Sequence, residues 1–269
     1  MSLITSLFPK LAFPDKYNLL TIHPPKRNIR LVLQYRGSAY QGWQKQAHGL
    51  TIQEIVEKCL SKITNEYIKV KASGRTDAGV HALMQVINFF THSPLAAERL
   101  KCGLNSLLPS DIAVLYIDEV NSQFDARFCA KAKTYMYLIL KVKERSPFLD
   151  EYSWHIRKPL DINAMQKASY ALIGKHDFNA FMAKGSSIKT TTRSIFRLDI
   201  KEIGPFIIVE IEANGFLRHM VRNIVGTLVE ISLHKREQSE IESFLTTKDH
   251  LPLGINVPAR GLFLKEVRY

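Results

Sequence analysis

An α+β fold built from two similar halves is what this sequence predicts, on three observations. Strand-like and helix-like stretches follow one another in the order β-α-β-β-α-β, that order recurs in the second half of the chain, and no low-complexity tract divides the two. The halves, over 29–123 and 124–269, are expected to join edge to edge in one mainly antiparallel sheet with a cleft between them. Residues 1–28 carry Pro9, Pro14, Pro24 and Pro25 and are set apart as an N-terminal extension.

In the first half, IRLVLQY (29–35) is aliphatic and β-branched, hence a strand. TIQEIVEKCLSKI (51–63) is a helix, with Thr51 and Glu54 spaced as a capping box and an apolar stripe of Ile52, Ile55, Val56, Cys59, Leu60 and Ile63. YIKVKA (67–72) and MQVINFF (84–90) are strands, PLAAERLKCGL (94–104) a helix opened by proline, and DIAVLYIDEV (111–120) a strand. In the second half, KTYMYLILKV (133–142) is a strand. DINAMQKASYALIG (161–174) is a helix capped by Asp161 and stopped by Gly174. SIFRLDI (194–200) and PFIIVEIEA (205–213) are strands, 214–232 is a long helix, Ser239 and Glu242 cap a short one, and GLFLKEVRY (261–269) is the last strand.

Lys plus Arg number 37 against 25 for Asp plus Glu, a formal net charge of +12 with a pI near 9.6. Such a balance points to an anionic partner, nucleic acid ahead of an acidic membrane surface. Cys59, Cys102 and Cys129 are scattered and without metal-type spacing, which implies a reducing compartment and buried, inert thiols. The N-terminus lacks a basic n-region, and no run approaches the roughly 18 apolar residues of a membrane helix. The expected location is cytoplasmic.

The stretch ASGRTDAGVH (72–81) concentrates the chemistry. Asp77 lies between Gly74 and Gly79, with Arg75 two residues before it. The plain reading is a turn aspartate bonding its own backbone. The functional one is a carboxylate on a loop between two strands, beside a guanidinium able to hold a carboxylate or phosphate. A metal site from Asp77 and His81 lacks a second carboxylate, and no GxSxG elbow for a serine hydrolase occurs. In GFLRHMVRNIVG (215–226), Arg218 and Arg222 are four apart on the predicted helix, and one of them can turn inward to keep Asp77 ionised. In AKAKTYMYLIL (130–140), Lys131, Lys133, Tyr135 and Tyr137 share one strand face, either as aromatic packing or as a base-stacking platform beside phosphate-binding lysines. YRGSAYQGWQ (35–44) reads as an RNA-facing aromatic loop. The His176–Asp177 pair of GKHDFNAF (174–181) reads equally as a turn or a contact.

Taken together, ASGRTDAGVHALMQVINFF, YRGSAYQGWQ, LNSLLPSDI (104–112), FDARFCAKAKTYMYLI (124–139), GKHDFNAF, TTRSIFRLDI (191–200), GFLRHMVRNIVG and GLFLKEVRY resemble, in order, the TruA family of tRNA pseudouridine synthases over about 29–269. Met84 and GINVPARGLFL (254–264) depart from the family pattern. The resemblance implies a pseudouridine synthase fold and a homodimer. It implies isomerisation of uridines 38 to 40 in the tRNA anticodon stem-loop, without cofactor or metal. By motif match it implies Asp77 as catalytic aspartate, Arg75 as its neighbouring arginine, Tyr135 as the residue stacking on the target uracil, and Arg222 as the basic partner of the aspartate. Lys131, Lys133 and Arg218 are the expected phosphate contacts. The rival from another class is a non-catalytic RNA-binding module, in which Asp77 would be dispensable.

Overall fold

The computed structural model describes residues 25–183, 188–246 and 255–269. The N-terminal half runs β1 (Arg27–Tyr35), α1 (Ile52–Thr64), β2 (Lys71–Ala72), β3 (His81–Thr91), α2 (Ala97–Leu107) and β4 (Ile112–Val120). The C-terminal half runs β5 (Ala132–Leu140), β6 (Trp154–His155), α3 (Ile162–Ser169), β7 (Gly174–Asp177), β8 (Thr192–Ile203), β9 (Phe206–Ala213), α4 (Met220–Ser232), α5 (Glu240–Thr246) and β10 (Leu262–Arg268). All ten strands belong to one sheet, ordered β4-β1-β3-β10-β5-β9-β8-β7, with β2 paired to β3 and β6 to β5. Pairing is antiparallel except for β3 with β10 and β5 with β6. The α+β class and the edge-to-edge join are as the sequence predicts.

The join creates the site. One edge of β3 is covered by β1, whose Leu31 and Ile29 lie opposite Ile87 and Phe89. Its other edge is shared. β2 pairs with Asn88 and Ile87, while β10 pairs with His81 and Ala82. Residues 73–80 leave the sheet at this fork, between the two halves, and carry Asp77 there.

One face of the sheet is apolar because strand alternation puts Ile29, Leu31 and Leu33 of β1 and Ile207, Val209 and Ile211 of β9 on one side, all fully buried. α1 covers its part with Ile52, Val56 and Leu60. α4 is buried nearly all round, through Met220, Val221, Ile224, Val225, Leu228 and Val229, as expected of a helix apolar on every side.

Several local expectations are corrected. Asp161 caps α3 through Ala164 N–H at 2.9 Å, but Thr51 makes no cap bond and Glu54 pairs instead with Lys58 at 2.8 Å. The strand expected at 67–72 shrinks to two residues, because α1 side chains take its backbone donors: Ser61 accepts from Ile68 N–H and Glu57 from Val70 N–H. The helix expected at 214–232 begins only at Met220. Asn214 bonds back to β8 in both directions with Ser194, so the chain turns before it can coil. Arg218 therefore lies outside α4, and the shared helix face with Arg222 does not exist. Residues 174–177 form an edge strand. There Asp177 caps Asn179 N–H at 3.0 Å and His176 contacts Ile173 O at 2.9 Å, so that pair is structural. β1 opens at Arg27, inside the stretch read as an extension, and residues 1–24 lie outside the described residues. The thiols are not all buried: Cys102 and Cys129 are exposed and Cys59 is partly so, because they fall on a helix flank and a surface turn.

Candidate active site

The loop holding Asp77 is fastened from below. Ser73 N–H donates to Val86 O at 2.8 Å, continuing the ladder for one residue. Ser73 Oγ donates to Gln85 Oε1, and Gln85 Nε2 donates to Gly74 O at 2.9 Å. Thr76 Oγ1 is 2.8 Å from the buried Tyr35 hydroxyl, so both side chains are satisfied inside the protein. Burial keeps the Tyr35 phenol protonated, its pKa pushed well above the usual range.

The stretch 36–43 braces the loop from the side. Trp43 N–H donates to Thr76 O at 3.0 Å and Gly79 N–H to Tyr40 O at 3.4 Å. Gly42 has φ +84, and a Cβ there would lie 2.6 Å from Thr76 O, so no other residue lets the two backbones approach this closely. Tyr40 and Trp43 are buried, and Tyr40 Oη donates to Asp111. The reading of these aromatics as an RNA-facing surface is thus corrected: they are the wall against which the loop is built.

Asp77 itself starts a β-turn. Val80 N–H donates to Asp77 O at 3.1 Å, and Gly79, with φ +77, fills the position that needs positive φ in a type II turn. The turn uses the backbone of Asp77 and leaves the carboxylate free. Other turn aspartates do the reverse: Asp125, Asp161 and Asp177 each accept backbone N–H groups. The Asp77 carboxylate makes no such bond among the described residues. The titratable side chain nearest to it is His219, with Nε2 3.7 Å from Oδ2.

Arg222, half-buried on α4, donates Nε–H to Val257 O at 2.6 Å. Burial lowers its pKa, and the charges of Asp77 and Tyr137 push the other way. The direct ion pair with Asp77 that the sequence suggested is not formed; the Nε–H is taken by Val257 O instead. Tyr135 is 8% exposed and packs edge-on against Phe216, with ring centroids 5.0 Å apart. Burial first, then the charges of Tyr35 and Asp77, drive its phenol far above the usual range. Its ring is thus buried and its phenol stays protonated. Tyr137 is core, its hydroxyl donating to Pro258 O at 2.8 Å.

Lys133 is half-buried against Gly74, its Nζ 3.5 Å from where a Cβ would stand. Burial, then Arg127 and Arg193, push its ammonium down to about 8. Arg75, Lys131 and Arg218 are exposed. His81 belongs to β3 and not to the loop. Its Nδ1 accepts from Gly37 N–H at 3.1 Å, so Nε2 carries the proton and donates to Glu151 O and Arg260 O, each at 3.1 Å. Both ring nitrogens are engaged, which removes the Asp77–His81 metal reading; no group of three metal-ligating side chains occurs among the described residues.

Sequence reasoning missed His219. Placing 214–232 in one helix sends the residue before Met220 around the helix, whereas in the turn it faces Asp77. The Tyr35–Thr76–Gln85 support was also missed, since polar side chains on buried strand positions give no periodic signal.

Comparison with known proteins shows the family. A family model described as tRNA pseudouridine synthase matches residues 31–129 and 168–269. The tRNA pseudouridine synthase A of Thermoanaerobacter sp. (strain X514) is 46% identical over 243 residues, 90% of this chain and 100% of the relative. That of Moorella thermoacetica is 45% identical over 243 residues, covering 90% of this chain and 99% of the relative. The tRNA pseudouridine synthase A 2 of Clostridium tetani is 44% identical over 245 residues, with the same coverage of 90% and 99%. With both segments of the family model matched and the relatives covered almost end to end, the chain belongs to the tRNA pseudouridine synthase family.

Proposed function

We propose that this enzyme isomerises uridine to pseudouridine at positions 38 to 40 of the tRNA anticodon stem-loop, with Asp77 as the catalytic nucleophile or base. The observation that carries the reading is the Asp77 carboxylate. It is held on a rigid turn at the fork between the two halves, free of backbone bonds, facing His219 and under the charge of Arg222.

The reaction breaks the bond from ribose C1′ to uracil N1, turns the base, and joins C5 to C1′; C5 loses a proton and N1 gains one, so the product is an isomer. Nothing is oxidised and no water is consumed. Asp77 in this account attacks the ribose or the base, or removes a ribose proton. Tyr135 stacks on the extruded uracil. Arg75, exposed two residues away, holds the opened position. Lys131, Lys133 and Arg218 contact backbone phosphates, which fits the excess of basic residues. The working form is a homodimer acting in the cytoplasm. Among the described residues no helix is long and apolar enough to cross a membrane.

The test is tritium release from tRNA carrying C5-labelled uridine, in EDTA, with the released positions mapped along the anticodon arm. Release confined to positions 38 to 40 is the expected result. Release elsewhere in the tRNA would overturn the site assignment. Absence of release with tRNA still bound would favour a binding module.

A further inference from the structure

His219 is held in an unusual way. Its φ is +63, the left-handed region seldom adopted by residues with a side chain. It occupies the N-cap of α4, where its carbonyl accepts from Asn223 N–H at 2.9 Å, and Met220 N–H closes the preceding turn on Leu217 O at 3.1 Å. Strained backbone of this kind persists where the surroundings fix it, commonly at functional sites. Here the result is to aim the imidazole at the loop of the other half.

The ring has two neighbours. Asn256 Nδ2 is 3.2 Å from Nδ1, and an amide nitrogen can only donate, so Nδ1 accepts and the proton of the neutral ring resides on Nε2. Nε2 points at Asp77 Oδ2, 3.7 Å away. The charged groups around the ring are Asp77 from the 73–80 loop, Arg218 from its own turn and Arg222 from α4. Burial and the two arginines favour the neutral ring, and Asp77 opposes them, with a net shift below the ordinary value.

We propose that His219 is a positioning residue for Asp77: its neutral ring directs Nε2–H at the carboxylate, and protonation of the ring pins that carboxylate in an ion pair and turns the site off. A neutral N–H orients the carboxylate while leaving it its full charge. An imidazolium at the same place competes with the substrate for that charge. The inference rests on Asp77 being the catalytic carboxylate.

The test is the pH dependence of tritium release from pH 5 to 8 for the wild type, His219→Asn and His219→Gly. Asparagine tolerates positive φ and does not titrate, while glycine relieves the strained backbone and removes the ring. The wild type is expected to lose kcat in one step at a pH below the ordinary histidine value. In His219→Asn that step disappears, kcat at neutral pH falls roughly 10- to 100-fold, and KM stays near the wild-type value. His219→Gly falls at least as far while melting no lower than the wild type. An acid step unchanged in His219→Asn, or an unchanged kcat in both variants, would overturn the proposal. Asp77→Asn run alongside separates the two levels. If it is inactive while His219→Asn behaves as wild type, only the role of His219 fails. If it is active, the reading beneath fails as well.

Discussion

Asp77 and Asp125 both lie in turns at the margin of the same sheet, and their carboxylates are treated in opposite ways. Asp125 accepts from Arg127 N–H at 2.9 Å and Phe128 N–H at 3.0 Å and pairs with Lys71 at 2.9 Å. Burial alone would raise its pKa, but Lys71 and those N–H groups outweigh it and hold the carboxyl below the usual range. Asp77 gives the turn its backbone carbonyl only, and Gly79 supplies the positive φ that makes this possible. A carboxylate whose lone pairs are taken by the protein contributes stability. One left open on a braced loop is available to a substrate. The difference is made by the residues of each turn together with what packs against it.

The largest effect expected from breaking this contrast is on Asp77. Asp77→Asn should lower the rate of tritium release by at least about 10⁴-fold, the scale of removing one member of a catalytic unit. tRNA affinity, measured by filter binding, should stay near the wild type, because one acid in a basic cleft adds little to it. Next comes the brace. Gly42→Ala forces a Cβ toward Thr76 O at 2.6 Å on a backbone with φ +84. It should destabilise the fold by about 1–3 kcal/mol in denaturant titrations and slow turnover by displacing the loop.

Asp125→Ala should cost about 1–2 kcal/mol of stability from unpaired backbone donors, with specific activity kept. The sign with pH follows from the depressed carboxyl. The contribution of Asp125 is present above the unfolded carboxylate value and is lost as pH falls through its folded value, so mutant and wild type should converge in acid. The effect confined to alkaline pH concerns Lys133. Its ammonium loses charge near pH 8 in the folded chain, whereas an unfolded lysine keeps it to about 10.4. Between these values the unfolded state binds more protons, so stability rises with pH there, and Lys133→Met should remove that rise in thermal melts.

Much of the fold is legible in the sequence because it is written in periodicity. The buried alternation of β1 and β9 and the apolar stripe of α1 are readable as they stand. What escaped depends on tertiary contact. The strand at 67–72 dissolves because Ser61 and Glu57 intercept its donors, and the first turn of the long helix is lost because Asn214 bonds to Ser194. At the site, Asp77 stood out through its glycines and Arg75. His219 did not, since its role rests on one backbone angle at a helix start that sequence reasoning placed six residues too early. Tyr40 and Trp43 looked like surface aromatics because a loop rich in glycine and aromatics reads the same whether it faces RNA or another loop.

The most direct test of the contrast is to make Asp77→Asn and Asp125→Asn side by side and measure tritium release and the melting temperature of each. Asp77→Asn should show no release at an unchanged melting temperature, and Asp125→Asn should release tritium at the wild-type rate while melting lower. Release by Asp77→Asn, or a lowered melting temperature with tRNA binding lost, would contradict the account and return Asp77 to the role of an ordinary turn residue.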